Sequence, residues 1–274
     1  MPLIVVPTPV GNLGDMTLRG LEALKSADVI ACEDTRRTLK LLNFYGIRKP
    51  LVSYHRHNER ARADEMMACL ERGDVIALVS DAGTPGLSDP GGVLISLALS
   101  RGVPVDVLPG ANALLPALLM SGISADRFMF VGFPDGGRDT REFLGSLRNV
   151  GDTLIFYIAP HDLTRFIADA REIFGDRRAA IVREISKVHQ ESARGTLAEL
   201  ERAAASREMK GEIVFVVEGA SPEDGANEDP GEWKMLAGVM QKSGIYDKMI
   251  ANVLFESYGI PRNQVKSFLL ENDR

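Results

Sequence analysis

Cysteine is almost absent from this chain: Cys32 and Cys69 are the two present, and they form no Cys-x-x-Cys pair. Two such thiols can neither staple a secreted scaffold nor hold a structural zinc ion, so a reducing, cytoplasmic setting is expected. Histidine is nearly as scarce, with His55, His57, His161 and His189 and no His-Glu-x-x-His. His55 and His57 have the spacing of one side of a strand, yet the four are too scattered for a metal set, and no metal is expected. Despite 26 glycines, no Gly-x-Gly triplet occurs and no glycine precedes a lysine. A Rossmann fingerprint and a P-loop are therefore both excluded. Long apolar runs are missing too. The longest uncharged stretch, Val107 to Ala125, is interrupted by Pro109, Asn112, Pro116 and Gly122, which fits a loop and a buried helix better than a membrane span. The N-terminus reaches Pro7 without a basic region or an apolar core, so no signal peptide is expected.

What is present is ordinary globular material: 274 residues, 45% hydrophobic and 26% charged, enough for one large or two smaller domains. The net charge of −6 argues against a general nucleic-acid binder. Its distribution argues otherwise, because eight basic residues face two acidic ones between Asp34 and Arg62. They are Arg36, Arg37, Lys40, Arg48, Lys49, Arg56, Arg60 and Arg62.

Apolar runs and turn residues alternate in a βα rhythm. Strands are expected at Leu3 to Val6, Asp28 to Cys32, Leu51 to Tyr54, Asp74 to Ser80 and Val103 to Leu108. Helices are expected after Thr17, over Thr35 to Phe44, Ala61 to Arg72 and Val93 to Ser100, and up to Met120. This describes an open α/β sheet with helices on its faces. A strand at Phe128 to Phe133 then enters a plausible hinge at Pro134 to Arg138. Beyond it, strands are expected at Thr153 to Tyr157, Ala179 to Arg183 and Ile213 to Val217, with helices near Leu163 to Phe174 and Leu197 to Ala205. The expected organisation is a first α/β domain over 1–132, a second over 133–218, and an acidic linker with a small helical tail over 219–274.

Three loops follow strands, where open α/β sheets place ligands. They are Thr8 to Asp15, Ser80 to Gly91 and Pro109 to Ala113. Glycines there let a backbone approach a ligand, and prolines fix the loop beforehand. Turn formation alone would explain the third; the second carries five glycines and prolines with two carboxylates, Asp81 and Asp89, and points to function.

These loops in this order, with Glu33-Asp34-Thr35-Arg36 and Ser53 to Glu59 between them, resemble the tetrapyrrole-methylase superfamily of adenosylmethionine-dependent methyltransferases. Ala159-Pro160-His161, Arg183-Glu184, Arg194 to Leu197 and Lys210-Gly211-Glu212 extend the resemblance. It covers residues 3 to about 218. Within the superfamily the segments look like the bacterial branch that methylates the ribose 2′-hydroxyl of a cytidine in 16S ribosomal RNA at the decoding centre.

The resemblance implies a two-domain (class III) α/β fold, usually a homodimer, with S-adenosylmethionine in the cleft between domains. By position, Pro9, Asp81, Gly83, Leu87, Ser88, Asp89, Asn112 and Ala113 would surround that cofactor, joined by Phe156 and Gly211. The substrate would be 16S RNA, free or in the assembled small subunit, with no membrane involved. The basic run then offers phosphate contacts from Arg36, Arg37, Lys40, Arg56 and Arg60, with Tyr54 and His55 as base-stacking candidates. A ribose hydroxyl is weakly acidic, so a general base would help; Asp15, Asp34 and His55 are candidates. Asp15 and Asp34 have an alternative use as caps of the helices that follow them. A tetrapyrrole or protein methyltransferase, or a non-catalytic ligand-binding module of ribosome assembly, would share the same cleft.

Overall fold

The computed structural model of the chain describes residues 2–134, 139–206, 209–221 and 230–272. Five short segments form strands, Leu3–Val5 (β1), Val29–Cys32 (β2), Leu51–Ser53 (β3), Ile76–Val79 (β4) and Val105–Val107 (β5). They pair in parallel in the order β3-β2-β4-β1-β5. Parallel strands need crossovers, which Leu18–Ser26 (α1), Thr35–Phe44 (α2), Glu59–Glu71 (α3) and Gly92–Ser100 (α4) supply. Val6, Leu24, Ile30 and Ala77 fill one face of this sheet, and Leu3, Val5, Met67, Leu78 and Leu94 the other. Covered on both faces, the central strands β1, β2 and β4 read in sequence as unbroken apolar runs, whereas the edge strands β3 and β5 carry Ser53 and Asp106.

The starts of the first two helices are set by side chains. The Thr17 hydroxyl accepts the Gly20 N–H at 3.0 Å and opens α1, and the Asp34 carboxylate accepts the Arg36 N–H at 2.8 Å and opens α2.

After Leu114–Ser121 (α5) the chain builds a second sheet from Phe128–Gly132 (β6), Thr153–Ile158 (β7), Arg178–Arg183 (β8), Glu191–Thr196 (β9) and Ile213–Val217 (β10). Its order is β6-β7-β10-β8-β9, with β6 and β7 parallel and the other pairs antiparallel. Asp139–Leu147 (α6), Leu163–Phe174 (α7) and Leu197–Ser206 (α8) cover one face through Leu144, Phe166, Ile167 and Leu200. On the other face Leu114, Ala117 and Leu118 of α5 pack against Ile155, Val182, Val214 and Val216. So α5 and β6 precede the boundary expected at 132, yet β6 belongs to the second sheet, where Phe128 to Phe130 pair with Thr153 to Ile155, and α5 packs on that sheet.

The expected hinge falls at 135–138 and most of the expected acidic linker at 222–229, outside the described residues. Pro230–Lys242 (α9), Asp247–Tyr258 (α10) and Arg262–Asn272 (α11) enclose a core of their own around Trp233, Ile250, Leu254, Val265 and Leu269. Among the described residues no helix is long and apolar enough to cross a membrane.

Candidate functional site

The strand order sets the site. Because β4, β1 and β5 are neighbours and run the same way, the three loops at their carboxyl ends lie side by side. They are tied together: Thr8 and Gly83 exchange backbone hydrogen bonds at 2.9 and 2.8 Å, and the Thr84 hydroxyl donates to the Ala111 carbonyl at 3.2 Å. The Thr8 hydroxyl also donates to the Ser80 carbonyl at 2.9 Å. Gly83 makes its turn at φ +79°, a left-handed conformation that favours glycine.

Ser88 adopts the same region at φ +63° without being glycine. Such strain costs on the order of 1–3 kcal/mol and persists where its surroundings hold it. Here the Arg56 guanidinium donates to the Ser88 carbonyl, and Gly132 of the second sheet comes so near that a Cβ on it would lie 3.0 Å from the Ser88 hydroxyl.

Between these loops and the second sheet lies a cavity of about 440 Å³. Its first-sheet wall carries Glu33, Asp81, Leu87 and Asp89; its second-sheet wall carries Phe133, Tyr157, Ala159, Gly211 and Glu212. Of the four carboxylates around this hollow, Glu33 and Asp89 are displaced from their ordinary behaviour. Burial and then the Asp81 charge push the Glu33 carboxyl up. Burial and then Glu33 push Asp89 up to about 6. Burial, with Asp89 beside it, pushes the Tyr157 phenol up to about 12. Asp81 and Glu212 are the engaged members: Asp81 pairs with Arg37 at 3.2 Å and accepts the Asp34 N–H at 3.1 Å, and Glu212 pairs with Lys187 at 3.1 Å. Such a wall favours a ligand that carries positive charge and hydroxyl donors. Among the described residues no cluster suits a metal ion. A larger open hollow of about 1030 Å³, lined by Arg127, Arg148, Arg178 and Glu218, lies at the other end of the second sheet and includes no residue expected at the site.

Residues 2–201 match the model of the family described as Tetrapyrrole (Corrin/Porphyrin) Methylases. The chain belongs to this tetrapyrrole methylase family. It is similar to a protein of Synechocystis named ribosomal RNA small subunit methyltransferase I, at 40% identity over 98% of this chain and 97% of the relative. A protein of that name from Bacillus subtilis is 44% identical over 85% of this chain and 80% of its own length. One from Thermotoga maritima is 42% identical, with 79% of this chain matching 98% of it. Among solved structures the fold is that of the methyltransferase CobJ (TM-score 0.61, 19% identity, 80% of this chain and 94% of that one). It is also that of the uroporphyrin-III C-methyltransferase of Thermus thermophilus complexed with S-adenosyl homocysteine (TM-score 0.56, 21% identity, 80% and 97%).

Within this methylase fold the cavity brings together Asp81, Gly83, Leu87, Ser88, Asp89, Asn112, Ala113 and Gly211 from the expected cofactor set. Two others stand elsewhere. Pro9 lines an adjoining hollow of about 170 Å³ with Thr8, Lys40 and Ser80, on the other side of the Arg37–Asp81 pair. Phe156 is fully buried and packs on Phe166 in the core, while Tyr157, the next residue of β7, faces the cavity. Strand alternation is the cause, and it was hidden in sequence because both faces of the sheet are apolar. Asn112 also has structural work, its side-chain oxygen accepting the Leu115 N–H at 3.0 Å at the start of α5.

None of the three expected bases lines the cavity. Asp15 accepts the Ser186 hydroxyl across the two sheets, and Thr17, not Asp15, caps α1. Asp34 caps α2 and pairs with Arg36, whose hydrogen bonds lower its carboxyl to about 2. His55 accepts contact from the His57 ring at 5.9 Å and keeps a buried Nδ1 without a hydrogen-bond partner. Tyr54, expected to stack on bases, is 1% exposed and belongs to the core.

The basic residues Arg36, Arg37, Lys40, Arg56 and Arg60 are exposed. Arg36 and Arg37 are paired with Asp34 and Asp81, whereas Lys40 and Arg60 make no ion pair among the described residues. Sequence reasoning missed Glu33, Glu212, Phe133 and Tyr157 as wall residues. Glu33 and Glu212 sat inside motifs already singled out; Phe133 and Tyr157 carried no signal apart from aromatic identity.

Proposed function

We propose that the chain is an S-adenosylmethionine-dependent methyltransferase acting on the ribose 2′-hydroxyl of a cytidine in 16S ribosomal RNA at the small-subunit decoding centre. One observation carries this reading: Arg37 of α2, within the basic stretch from Asp34 to Arg62, lines the carboxylate-walled cavity. The names of relatives at 40–44% identity support the same substrate class. A tetrapyrrole or a protein residue would have less use for the eight basic residues between Asp34 and Arg62.

The cavity suits the cofactor in its chemistry. Asp81, Asp89 and Glu212 face a ligand bearing positive charge, Gly83 and Gly211 allow close backbone approach, and Leu87, Ala113 and Tyr157 give apolar surface. We assign holding of the cofactor to these residues with Ser88 and Asn112, and a flanking role to Pro9. When bound, that cofactor supplies an activated methyl group. The chain's own contribution is alignment, which contributes much of the acceleration in a displacement of this kind. Arg36, Arg37, Lys40, Arg56 and Arg60 take RNA phosphates and fix its register. The hydroxyl proton goes to Glu33: it is half-buried on the wall, and Asp15 and Asp34 are committed elsewhere.

The two sheets form two domains and α9–α11 a third unit, in a cytoplasmic homodimer; exposed Leu115, Leu119, Phe128 and Met129 offer apolar surface for the pairing. The test is transfer of labelled methyl groups to purified unmethylated small subunits, with naked 16S RNA beside them and the modified nucleotide mapped. Label on a cytidine ribose is expected, reduced roughly 100-fold in rate by Glu33→Gln with cofactor affinity retained. Cofactor binding without label would leave a tetrapyrrole, a protein or an assembly role.

A further inference from the structure

A helix displays its 2′-hydroxyls in a shallow minor groove, and a ribose still stacked in one cannot enter a hollow. A ribose that enters a cavity between two sheets belongs to a nucleotide pulled out of its stack, and its base needs a new face to lie on. The residues expected from sequence to give that face do not: Tyr54 is buried in the first sheet's core, and His55 is not on the cavity wall.

Phe133 is. It lines the cavity directly after β6 and remains 57% exposed. Its ring is not loose, meeting Tyr157 edge-on at 5.4 Å and 61°. Tyr157 in turn meets Phe130 at 5.0 Å and 69°, and those two rings pack into the core between α5 and the second sheet. Three aromatic rings thus run from a packed core to the rim, with the outermost presented to solvent. The contact with Tyr157 fixes the ring, and its 57% exposure leaves surface on which a base can lie.

The position is fixed across the cavity as well. Gly132, at φ +79°, lies against the Ser88 hydroxyl, and Ser88 adjoins Asp89 on the opposite wall. Glu33, Asp81 and Asp89 make that wall acidic, which suits a cation and hydroxyl donors but not the π-face of a base. Glu212 is the one carboxylate on the second-sheet wall, so Phe133 and the acidic first-sheet wall face different parts of what binds between them.

We propose that Phe133, backed by Tyr157, is the platform on which an unstacked base of the target RNA lies, so that its ribose reaches the cavity. The inference rests on the RNA reading above. A single base–aromatic stack contributes roughly 1–3 kcal/mol, a factor of about 5 to 150 in affinity, and carries no charge.

The test compares wild type, Phe133→Ala and Phe133→Trp for affinity to unmethylated small subunits across a salt series, for cofactor affinity by calorimetry, and for kcat and KM. Phe133→Ala is expected to weaken subunit binding roughly 5- to 100-fold. The salt slope should not change, because no phosphate contact is lost. Cofactor affinity should stay put, and Phe133→Trp should restore binding. Unchanged subunit affinity in Phe133→Ala overturns the platform. A matching loss of cofactor affinity overturns it too, and assigns the ring to the cofactor's adenine. Absence of RNA label with the wild type is a different failure: it removes the functional reading and the platform with it, whereas label with an unaffected Phe133→Ala removes the platform alone.

Discussion

Asp89 shows how the site's electrostatics enter stability. Burial and the neighbouring Glu33 raise its carboxyl from 3.8 to about 6. Between those values the folded chain holds a proton that the unfolded chain has released, so stability falls as pH rises through that window and the deficit persists above it. Asp89→Asn removes the penalty. The ligand-free variant is expected to be more stable than wild type above pH ~6, by on the order of 1–2 kcal/mol, with the difference closing toward pH ~4. Its cofactor affinity should fall over the same upper range, because a charge facing a cationic ligand is gone. Thermal melts from pH ~4 to ~8 check this, and parallel curves for the two proteins would count against it. At this scale the sequence was partly legible. The carboxylates and glycines of Ser80 to Gly91 announced themselves by composition, but which of Phe156 and Tyr157 faces the ligand depends on strand phase in a sheet apolar on both faces.

Elements, more than single residues, bring the two walls together. Gly11 of the first loop passes so close to the turn after β8 that a Cβ on it would lie 2.5 Å from the Ile185 carbonyl oxygen and 2.5 Å from Lys187 Cγ. That turn is itself unusual, with Glu184 at φ +52° and Ser186 at φ +65°, neither of them glycine. The Ser186 hydroxyl reaches Asp15, and the Glu184 carboxylate takes the Lys187 ammonium at 2.9 Å and the Glu212 N–H at 3.1 Å. Gly11→Ala forces backbone apart where no flexible tip can give way. It is expected to lower kcat/KM about 10-fold or more, since displacements near 1 Å at a reacting centre cost about that much or more, while far-ultraviolet circular dichroism stays as in wild type. Full activity would show that the turn does not position the cavity. Most elements were legible because the βα alternation writes itself as apolar runs between glycine and proline turns. β9 and α6 were not: Glu191–Thr196 is a polar edge strand, and Asp139–Leu147 is short and interrupted by Gly145.

The whole molecule carries net charge −6, yet eight of its cations stand between Asp34 and Arg62 against two acidic residues, so its attraction to RNA is local rather than global. Lys40 and Arg60 are the informative pair, being exposed and outside every described ion pair, whereas reversing Arg37 would also leave Asp81 without its partner. Lys40→Glu with Arg60→Glu is expected to weaken subunit binding and to reduce the slope of log Kd against log salt by about 1.5 to 2, leaving cofactor affinity intact. An unchanged slope would mean that Lys40 and Arg60 do not meet phosphate. The tail obeys a different logic. Its helices bury Trp233, Ile250, Leu254, Val265 and Leu269 against one another, while every residue of the cavity wall comes from the two sheets, their loops and α5's approach. The Thermotoga maritima relative matches over 98% of its length with 79% of this chain, so a methylase of this family does not require all of it. A chain ending at residue 221 is therefore expected to fold and to bind S-adenosylmethionine within about 2-fold of the full chain, a change of less than 0.5 kcal/mol. Calorimetric titration of both chains decides it. If the shorter chain binds much more weakly, the helices act on the cavity from a distance; if it binds equally but loses subunit affinity, their contribution is to RNA docking alone.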